Sequence, residues 1–596
     1  MERVLMSGNE AVARGAWESG VEVATAYPGT PSTEILQNIA LYDDVYAEWS
    51  SNEKVALDTA IGAAYAGKRA LAAMKHVGLN VASEALFYSS YTGVNAGLVI
   101  VNADDPGLHS SQNEQDNRQY ARFARVPMLE PSDSQEAKSF VKLSLELSEQ
   151  YDTPVLLRMT TRTSHSKTAV TLGERQSLEK RPYLKDMAKY VMLPALARNR
   201  HDVVEARTAQ LRQLAEEIEI NRIEMGERWL GIISGGIAYE YAREVFPEAS
   251  YLKLGMAWPL PEKLIRDFAA SVERLIVVEE LDPFIEEWVR GLDIKVEGKS
   301  IFPLVDELTP DRVRNAALRS GLLVGNGPPT DRHQPDTDSL PLRPPVLCAG
   351  CGHRDVYWTL NKLKLTVNSD IGCYALGALP PLNATDTIGA MGASIGVAMG
   401  MRLADLEYKN VATIGDSTFF HSGLPALASA VYNRTPVTVI VLDNRTTGMT
   451  GHQGHPGSGQ TLSGRRTELI SAAEVSRAMG VRYVTEVDAR DLKGMEKAIR
   501  EATDAGEPAV VVVRSVCMFE SQHNREPYAV IAEDCNGCTL CFRIGCPAIT
   551  KSEELDEKTQ RPKAWIDPAM CVGCGLCFDV CARQAIEEGA EKVLVT

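Results

Sequence analysis

The residues best suited to chemistry stand near the C-terminus in two cysteine ladders, Cys535-x2-Cys538-x2-Cys541-x4-Cys546-Pro547 and Cys571-x2-Cys574-x2-Cys577-x3-Cys581. Three thiols this close together wrap one side of a [4Fe–4S] cubane, and in a two-ladder arrangement the fourth cysteine of each ladder crosses to the other cluster. The spacing thus assigns Cys535, Cys538, Cys541 and Cys581 to one cluster, and Cys571, Cys574, Cys577 and Cys546 to a second. The chemistry expected is one-electron transfer. Zinc is the alternative, but structural zinc sites use paired CxxC or Cys/His arms set well apart.

The two ladders resemble a bacterial-type ferredoxin, with Ala582 where a proline commonly follows the last cysteine. Twelve cysteines in all leave four: Cys348 and Cys351 in CAGCGHRD, Cys373 in SDIGCY, and Cys517 in VRSVCMF. Four thiols suffice for a third cluster. Scattered buried thiols are the plainer alternative, while a disulfide framework is not expected of a chain without a secretory signal.

Between Cys373 and Cys517 an apolar strand ends in Gly415-Asp416-Ser417, and a second one ends in Asp443-Asn444. This resembles the thiamine diphosphate motif, in which a carboxylate and an amide from the two halves hold Mg2+, a hard cation that wants oxygen ligands. The resemblance assigns Asp416, the Asn444 side chain and the Thr446 carbonyl to the metal, and places Gly372, Cys373, Gly415, Ser417 and Met449 at the cofactor. This chain reads GDS and DN where the family form is GDG and NN. A strand-to-helix turn without a ligand is the competing reading. Thiamine enzymes also need a glutamate against the aminopyrimidine, and Glu53, opening the Ala/Gly-rich stretch EKVALDTAIGAAYAG, is the candidate. On position alone it could equally be a first-turn glutamate favoured by the helix dipole.

With GNEAVARGAWESGVEVATAYPGTPSTEI, EWSSNEKVA, MKHVGLN and DDPGLHSSQNEQDNRQYARFARVPMLEPSD, these motifs span essentially the whole chain. Together they resemble the thiamine-dependent 2-oxoacid:ferredoxin oxidoreductases and, within them, the alpha subunits of the indolepyruvate branch. The resemblance implies a proximal cluster on Cys348, Cys351, Cys373 and Cys517, making three [4Fe–4S] clusters in all. It also places Thr30 of the YPGTP turn and Arg118 of DNRQ near the substrate carboxylate, a role that suits the planar arginine fork.

Residues 1–175 alternate short apolar strands (VEVATAY, GLVIVNA, PVLLRM) with helical stretches, the pattern of a parallel α/β sheet. The resemblance makes this a pyrimidine-binding-type domain. A helical connector is expected over 176–227. Residues 228–320 form a transketolase C-terminal-like domain with WLGIISGG, LKLGMAWPL and LIVVEE as strands, and the Gly235-Gly236 turn could cradle a phosphate. A Pro/Asp/Gly-rich linker covers 321–345. The diphosphate-binding domain with its proximal cluster follows at 346–525, and the 2[4Fe–4S] ferredoxin-like domain at 526–596. The fold class is thus several doubly wound parallel-sheet domains plus a small cluster domain.

The chain of 596 residues is 44% hydrophobic with a net charge of −17. The acidic balance argues against nonspecific nucleic-acid binding, which draws on basic patches. No apolar run reaches the about 18 residues of a membrane helix, and MERVLMSGNEAVARG lacks a signal-peptide layout. A cytoplasmic protein is expected. The resemblance implies oxidative decarboxylation of an aryl 2-oxoacid to the acyl-CoA and CO2, with coenzyme A as co-substrate and ferredoxin as electron acceptor. It also implies a smaller beta subunit in an α2β2 assembly, because the family's remaining catalytic domain has no counterpart here. Two readings stay open: a different 2-oxoacid such as pyruvate or a branched-chain acid, and an electron-transfer subunit with an inactive thiamine site.

Overall fold

The computed structural model describes residues 2–179, 181–324, 344–404, 409–521 and 525–589. The chain divides into two compact units, Met1–Leu340 and Pro341–Thr596.

In the first unit the apolar runs become a seven-stranded sheet in the order Met256–Trp258, Met128–Leu129, Val155–Thr160, Leu98–Asp104, Ala70–Lys75, Val23–Ala26, Tyr46–Trp49. All pairings are parallel except that of Met256–Trp258 with Met128–Leu129. Leu98–Asp104 and Val155–Thr160 are buried at every position, as a parallel sheet covered on both faces requires. Asn52 caps the helix Glu53–Tyr65 by accepting the Val55 N–H (2.9 Å). Its buried face of Ala56, Ala60 and Ala64 lets the helix His76–Thr92 approach closely.

A second sheet holds Leu275–Val278, Glu227–Gly235, Ala249–Leu254 and Asn221–Glu224, the first three parallel and the last antiparallel. Two expectations change here. The run LKLGMAWPL is not one strand: it breaks at Gly255, and its second half joins the seven-stranded sheet. Asn221 causes the break, since its Oδ1 takes the N–H groups of both Gly255 (3.0 Å) and Met256 (2.9 Å). A Cβ at Gly255 would come within 2.8 Å of Ile220, so only glycine fits this approach. The connector 176–227 carries the helices Met187–Tyr190 and Pro194–Glu217 but also donates the strand Asn221–Glu224.

The segments 1–175 and 228–320 share one apolar core, in which Leu57, Met74 and Leu86 pack with Trp258, Phe268 and Val289. Each such side chain contributes roughly 1.5–3 kcal/mol on burial, so the two segments are held as one body. Gly236, at φ +55°, opens the helix Gly236–Val245, and a Cβ there would meet the Glu130 carboxylate at 2.4 Å. Glu130 therefore fills the place suggested for a phosphate.

The second unit contains a six-stranded parallel sheet in the order Thr387–Ile388, Thr366–Ser369, Asn410–Gly415, Thr438–Asp443, Ala509–Arg514, Tyr483–Asp488. Apolar cores cover its two faces, one around Tyr357 and Leu442, the other around Phe419 and Val441. The cluster region adds two antiparallel ribbons, Tyr528–Val530 with Ile586–Glu588 and Ile549–Leu555 with Pro562–Ile566. Most of the expected linker, 325–343, lies outside the described residues. Among the described residues, no helix is long and apolar enough to cross a membrane.

Candidate functional site

The structure gathers the ladder cysteines into two cavities. One, with about 390 Å³ of atom-free space, is lined by Cys535, Cys538, Cys541 and Cys581. The other, of about 410 Å³, is lined by Cys546, Cys571, Cys574 and Cys577. Each ladder turns at a left-handed glycine, Gly537 (φ +63°) and Gly573 (φ +67°), which bends the backbone around its thiols. Backbone N–H groups point at the sulfurs: Ala564 at Cys535 (3.5 Å), Ala585 at Cys581 (3.3 Å) and Tyr528 at Cys571 (3.4 Å). Burial, then the thiols of Cys535, Cys538 and Cys581, pushes Cys541 up to about 11. Burial, then Cys574, Cys571 and Cys546, pushes Cys577 up. Groups so crowded hold thiolate charge only with a cation among them, and iron would supply it. Among the described residues no three His, Cys, Asp or Glu side chains meet closely enough for a single metal ion. Thiols spread over a cavity suit the corners of a cubane better than one zinc ion.

Cys348, Cys351, Cys373 and Cys517 also converge. Cys351 caps the helix Gly352–Leu363, Cys373 begins the short helix Cys373–Ala378, and the Cys517 N–H donates to the Asn444 carbonyl (3.1 Å). Burial, then Cys351, Cys517 and Cys348, pushes the Cys373 thiol up to about 11.

The neighbouring strands Thr366–Ser369 and Asn410–Gly415 are followed at their carboxyl ends by Asp370 and Asp416. The chain order reverses at this pair, the position where open α/β sheets bind ligands. Asp370 accepts the N–H groups of Gly392 (2.7 Å) and Ser394 (3.0 Å), holding the start of the helix Ala393–Leu403. Asp416 accepts from Ser417 (2.8 Å), Asn444 (3.0 Å) and Arg445 (2.7 Å). Burial alone would raise its affinity for a proton, but His455 and these N–H groups hold it below the usual carboxylate range. Asn444 Oδ1 accepts from the Thr446 N–H (3.2 Å), and the buried Thr446 hydroxyl has no hydrogen-bond partner among the described residues. A carboxylate from one loop with an amide and a carbonyl oxygen from the loop beside it is a donor set that fits Mg2+. Gly415 and Gly372 pack on the Tyr374 ring, and Ser417 Oγ accepts from Thr447 (3.0 Å). A Cβ at Gly448 would lie 3.6 Å from Cys373 Sγ and 3.8 Å from Asn444 Nδ2, so the loop of Asn444 and Thr446, whose Asn444 N–H Asp416 accepts, touches the third thiol set. Met449, next to it, is half exposed. Asp443, the D of the unusual DN, is pushed up to about 6 by burial and by Asp416, and pairs with Arg445 (3.2 Å).

In the first unit Glu53 is buried at the start of its helix, and Gly78 of the helix His76–Thr92 is the surface it packs on: a Cβ there would lie 2.7 Å from Glu53 Oε1. Thr30 is partly buried, and its carbonyl accepts from Ser110 Oγ (3.1 Å). Arg118, expected near the substrate carboxylate, is drawn inward. It is 2% exposed, its Nε bonds to Asp116 Oδ1 (2.9 Å), its Nη1 to Glu279 Oε2 (2.7 Å), and its Nη2 to the Glu280 carbonyl (2.9 Å). In this structure the fork is engaged by the protein's own acids. The cation beside Thr30 is Lys75. Its Nζ donates to the Ser110 carbonyl (2.9 Å) and its stem lies against Gly29, where a Cβ would come within 3.0 Å. Burial lowers its proton affinity against the opposing pull of Asp105 and Glu53.

Sequence reasoning missed Lys75, Asp370, Tyr374 and His455. The only local signal for His455 was its place in the Gly/Pro-rich stretch GHQGHPG.

Three family profiles match: "Pyruvate flavodoxin/ferredoxin oxidoreductase, thiamine diP-bdg" over residues 14–220, "Thiamine pyrophosphate enzyme, C-terminal TPP binding domain" over 370–513, and "4Fe-4S binding domain" over 564–587. The indolepyruvate oxidoreductase subunit IorA of Pyrococcus horikoshii is 42% identical, covering 100% of this chain and 98% of the relative. The chain belongs to the IorA family. The Methanothermobacter thermautotrophicus IorA is 41% identical over 98% of this chain and 97% of its own length. The 2-oxoglutarate synthase subunit KorA of Methanothermobacter marburgensis is 25% identical, over 47% of this chain and 88% of its own. As an IorA-family subunit, the chain is an oxidoreductase of the 2-oxoacid:ferredoxin type, with thiamine-diphosphate-binding and 4Fe-4S-binding domains.

Proposed function

We propose that this chain is the alpha subunit of an enzyme that oxidatively decarboxylates aryl 2-oxoacids of the indolepyruvate type. One 2-oxoacid and coenzyme A would become the acyl-CoA and CO2, and the two electrons released would reduce two ferredoxins, one electron each. The observation that carries this reading is the contact of the Asn444–Thr446 loop with the third thiol set, through Gly448 and Cys373. It is supported by full-length similarity to proteins named for indolepyruvate.

Asp416, Asn444 and the Thr446 carbonyl would hold Mg2+ and, through it, the cofactor diphosphate. Glu53 would hold a proton at the aminopyrimidine. Thiamine diphosphate supplies the electron sink for loss of CO2. Lys75 and Thr30 would bind the substrate carboxylate in the place first expected of Arg118. The thiol sets would be ordered outward from the Asn444–Thr446 loop, which meets the Cys348 set at Cys373. The Cys571 cavity shares Cys351, Arg354 and Arg490 with the Cys348 region, and the Cys535 cavity is lined only by residues of the cluster domain. Electrons would leave by the Cys535 end, and a smaller beta subunit in an α2β2 assembly would complete the enzyme.

The test is anaerobic purification with the beta partner, followed by reduction of a viologen dye by indolepyruvate with and without coenzyme A. Reduction that needs coenzyme A and fails with pyruvate is the expected result. Reduction by pyruvate instead would move the substrate, and no reduction by any 2-oxoacid despite intact clusters would leave an electron-transfer scaffold.

A further inference from the structure

Arg354 is 3% exposed and forms no ion pair among the described residues. Its chain neighbour Asp355 is closed instead on Arg490 (2.5 Å). Nη1 donates to the Ile544 carbonyl (2.7 Å), Nη2 to the carbonyls of Leu347 and Cys348, and the buried Nε–H has no acceptor among the described residues. The side chain thus ties the loop of Cys348 and Cys351 to the residue two before Cys546, and it lines the cavity of Cys546, Cys571, Cys574 and Cys577. It sits in the first turn of the helix Gly352–Leu363, where the helix dipole disfavours a cation.

A buried guanidinium with no anionic partner is costly. Hydrogen bonds to carbonyls engage both Nη groups but do not offset the charge. Arg354 and Arg490 against Asp355 leave one positive charge over on this wall. A [4Fe–4S] cluster on four thiolates is anionic in either oxidation state and gains one more negative charge on reduction.

We propose that Arg354 is the counter-charge shared by the Cys348-set and Cys571-set clusters, a positioning residue that raises the reduction potential of both. The inference rests on the reading that both thiol sets hold clusters. A cation between two such anions favours the reduced form of each, so an electron leaving the Cys348 set meets an acceptor held up by the same charge.

The test is an anaerobic redox titration followed by electron paramagnetic resonance on the full chain with its beta partner, comparing wild type, R354M, R354Q and R354K at equal iron and sulfide content. R354M and R354Q should shift two midpoint potentials in the negative direction and leave the third in place, and R354K should restore most of the shift. Unchanged potentials in a cluster-replete R354M or R354Q would overturn the proposal. So would a shift confined to one cluster, or R354K behaving like R354M. If R354M does not assemble, R354Q reads the same shift. If none of the variants assembles, R354K included, the role is shape and not charge, and the proposal fails. Wild type without three clusters would instead overturn the reading on which it rests.

Discussion

Asp416 Oδ2 lies 3.3 Å from His455 Nε2. The Gly457 N–H donates to His455 Nδ1 (3.1 Å), so Nε2 is the ring nitrogen left to present a proton to the carboxylate. Residues that orient a metal-binding carboxylate commonly matter by about 10–100-fold in affinity. H455A should weaken Mg2+-dependent thiamine diphosphate binding by that range in calorimetry, H455Q should recover part of it, and D416A should abolish it. Wild-type affinity in H455A would separate His455 from the metal site.

The crossed thiol sets predict which variants act alike. C535S and C581S, far apart in sequence, should each lose the same cluster signal, while C546S should lose the signal that C571S loses. Spin quantitation of the dithionite-reduced variants decides it. If C581S matched C571S instead, each ladder would hold its own cluster.

Lys75 and Arg118 should separate cleanly. A charge-assisted hydrogen bond is worth roughly 1.5–3 kcal/mol, so K75M should raise KM for the 2-oxoacid about 10–100-fold, with K75R intermediate. R118A leaves Glu279 buried without its paired cation and Asp116 with only Arg158 at 3.8 Å, and breaking a buried pair costs roughly 3–5 kcal/mol. It should lower the melting temperature while KM of the folded fraction stays put. A KM effect from R118A in a fully stable protein would return the substrate carboxylate to that residue.

Glu280 gives a pH dependence. Burial pushes its carboxyl up to about 7 from 4.5, although it accepts the Leu308 N–H (3.0 Å). Between these values the folded state keeps a proton that the unfolded state has released. Stability therefore falls as pH rises through the window, by up to roughly 3 kcal/mol above it. E280Q should melt higher than wild type at pH 8, with the gap closing toward pH 4. A gap that does not change with pH would assign the effect to packing.

What the sequence disclosed was local. The cysteine ladders could be read because their members lie within short spacings, the Asp416 and Asn444 turns because each closes an apolar strand, and the parallel strands because burial on both faces leaves continuous apolar runs such as that of Leu98–Asp104. What it concealed was held by distant partners. Glu279 stands 161 residues from Arg118, and Asn221 stands 34 residues before Gly255. No window of sequence shows that a polar run folds inward onto a carboxylate, or that one apolar stretch is shared between two sheets.

The strand Met256–Trp258 pairs with Met128–Leu129 at the end of the seven-stranded sheet. A fragment cut after residue 227 would bare the backbone N–H and C=O groups of that edge and empty the core of Trp258 and Phe268, the condition under which sheets pair with strangers. The first unit is therefore indivisible at the boundary that its composition suggests. Expression of the N-terminal part alone, or its transplantation into another chain, needs the segment through the strand Leu275–Val278 and its following helices to travel with it.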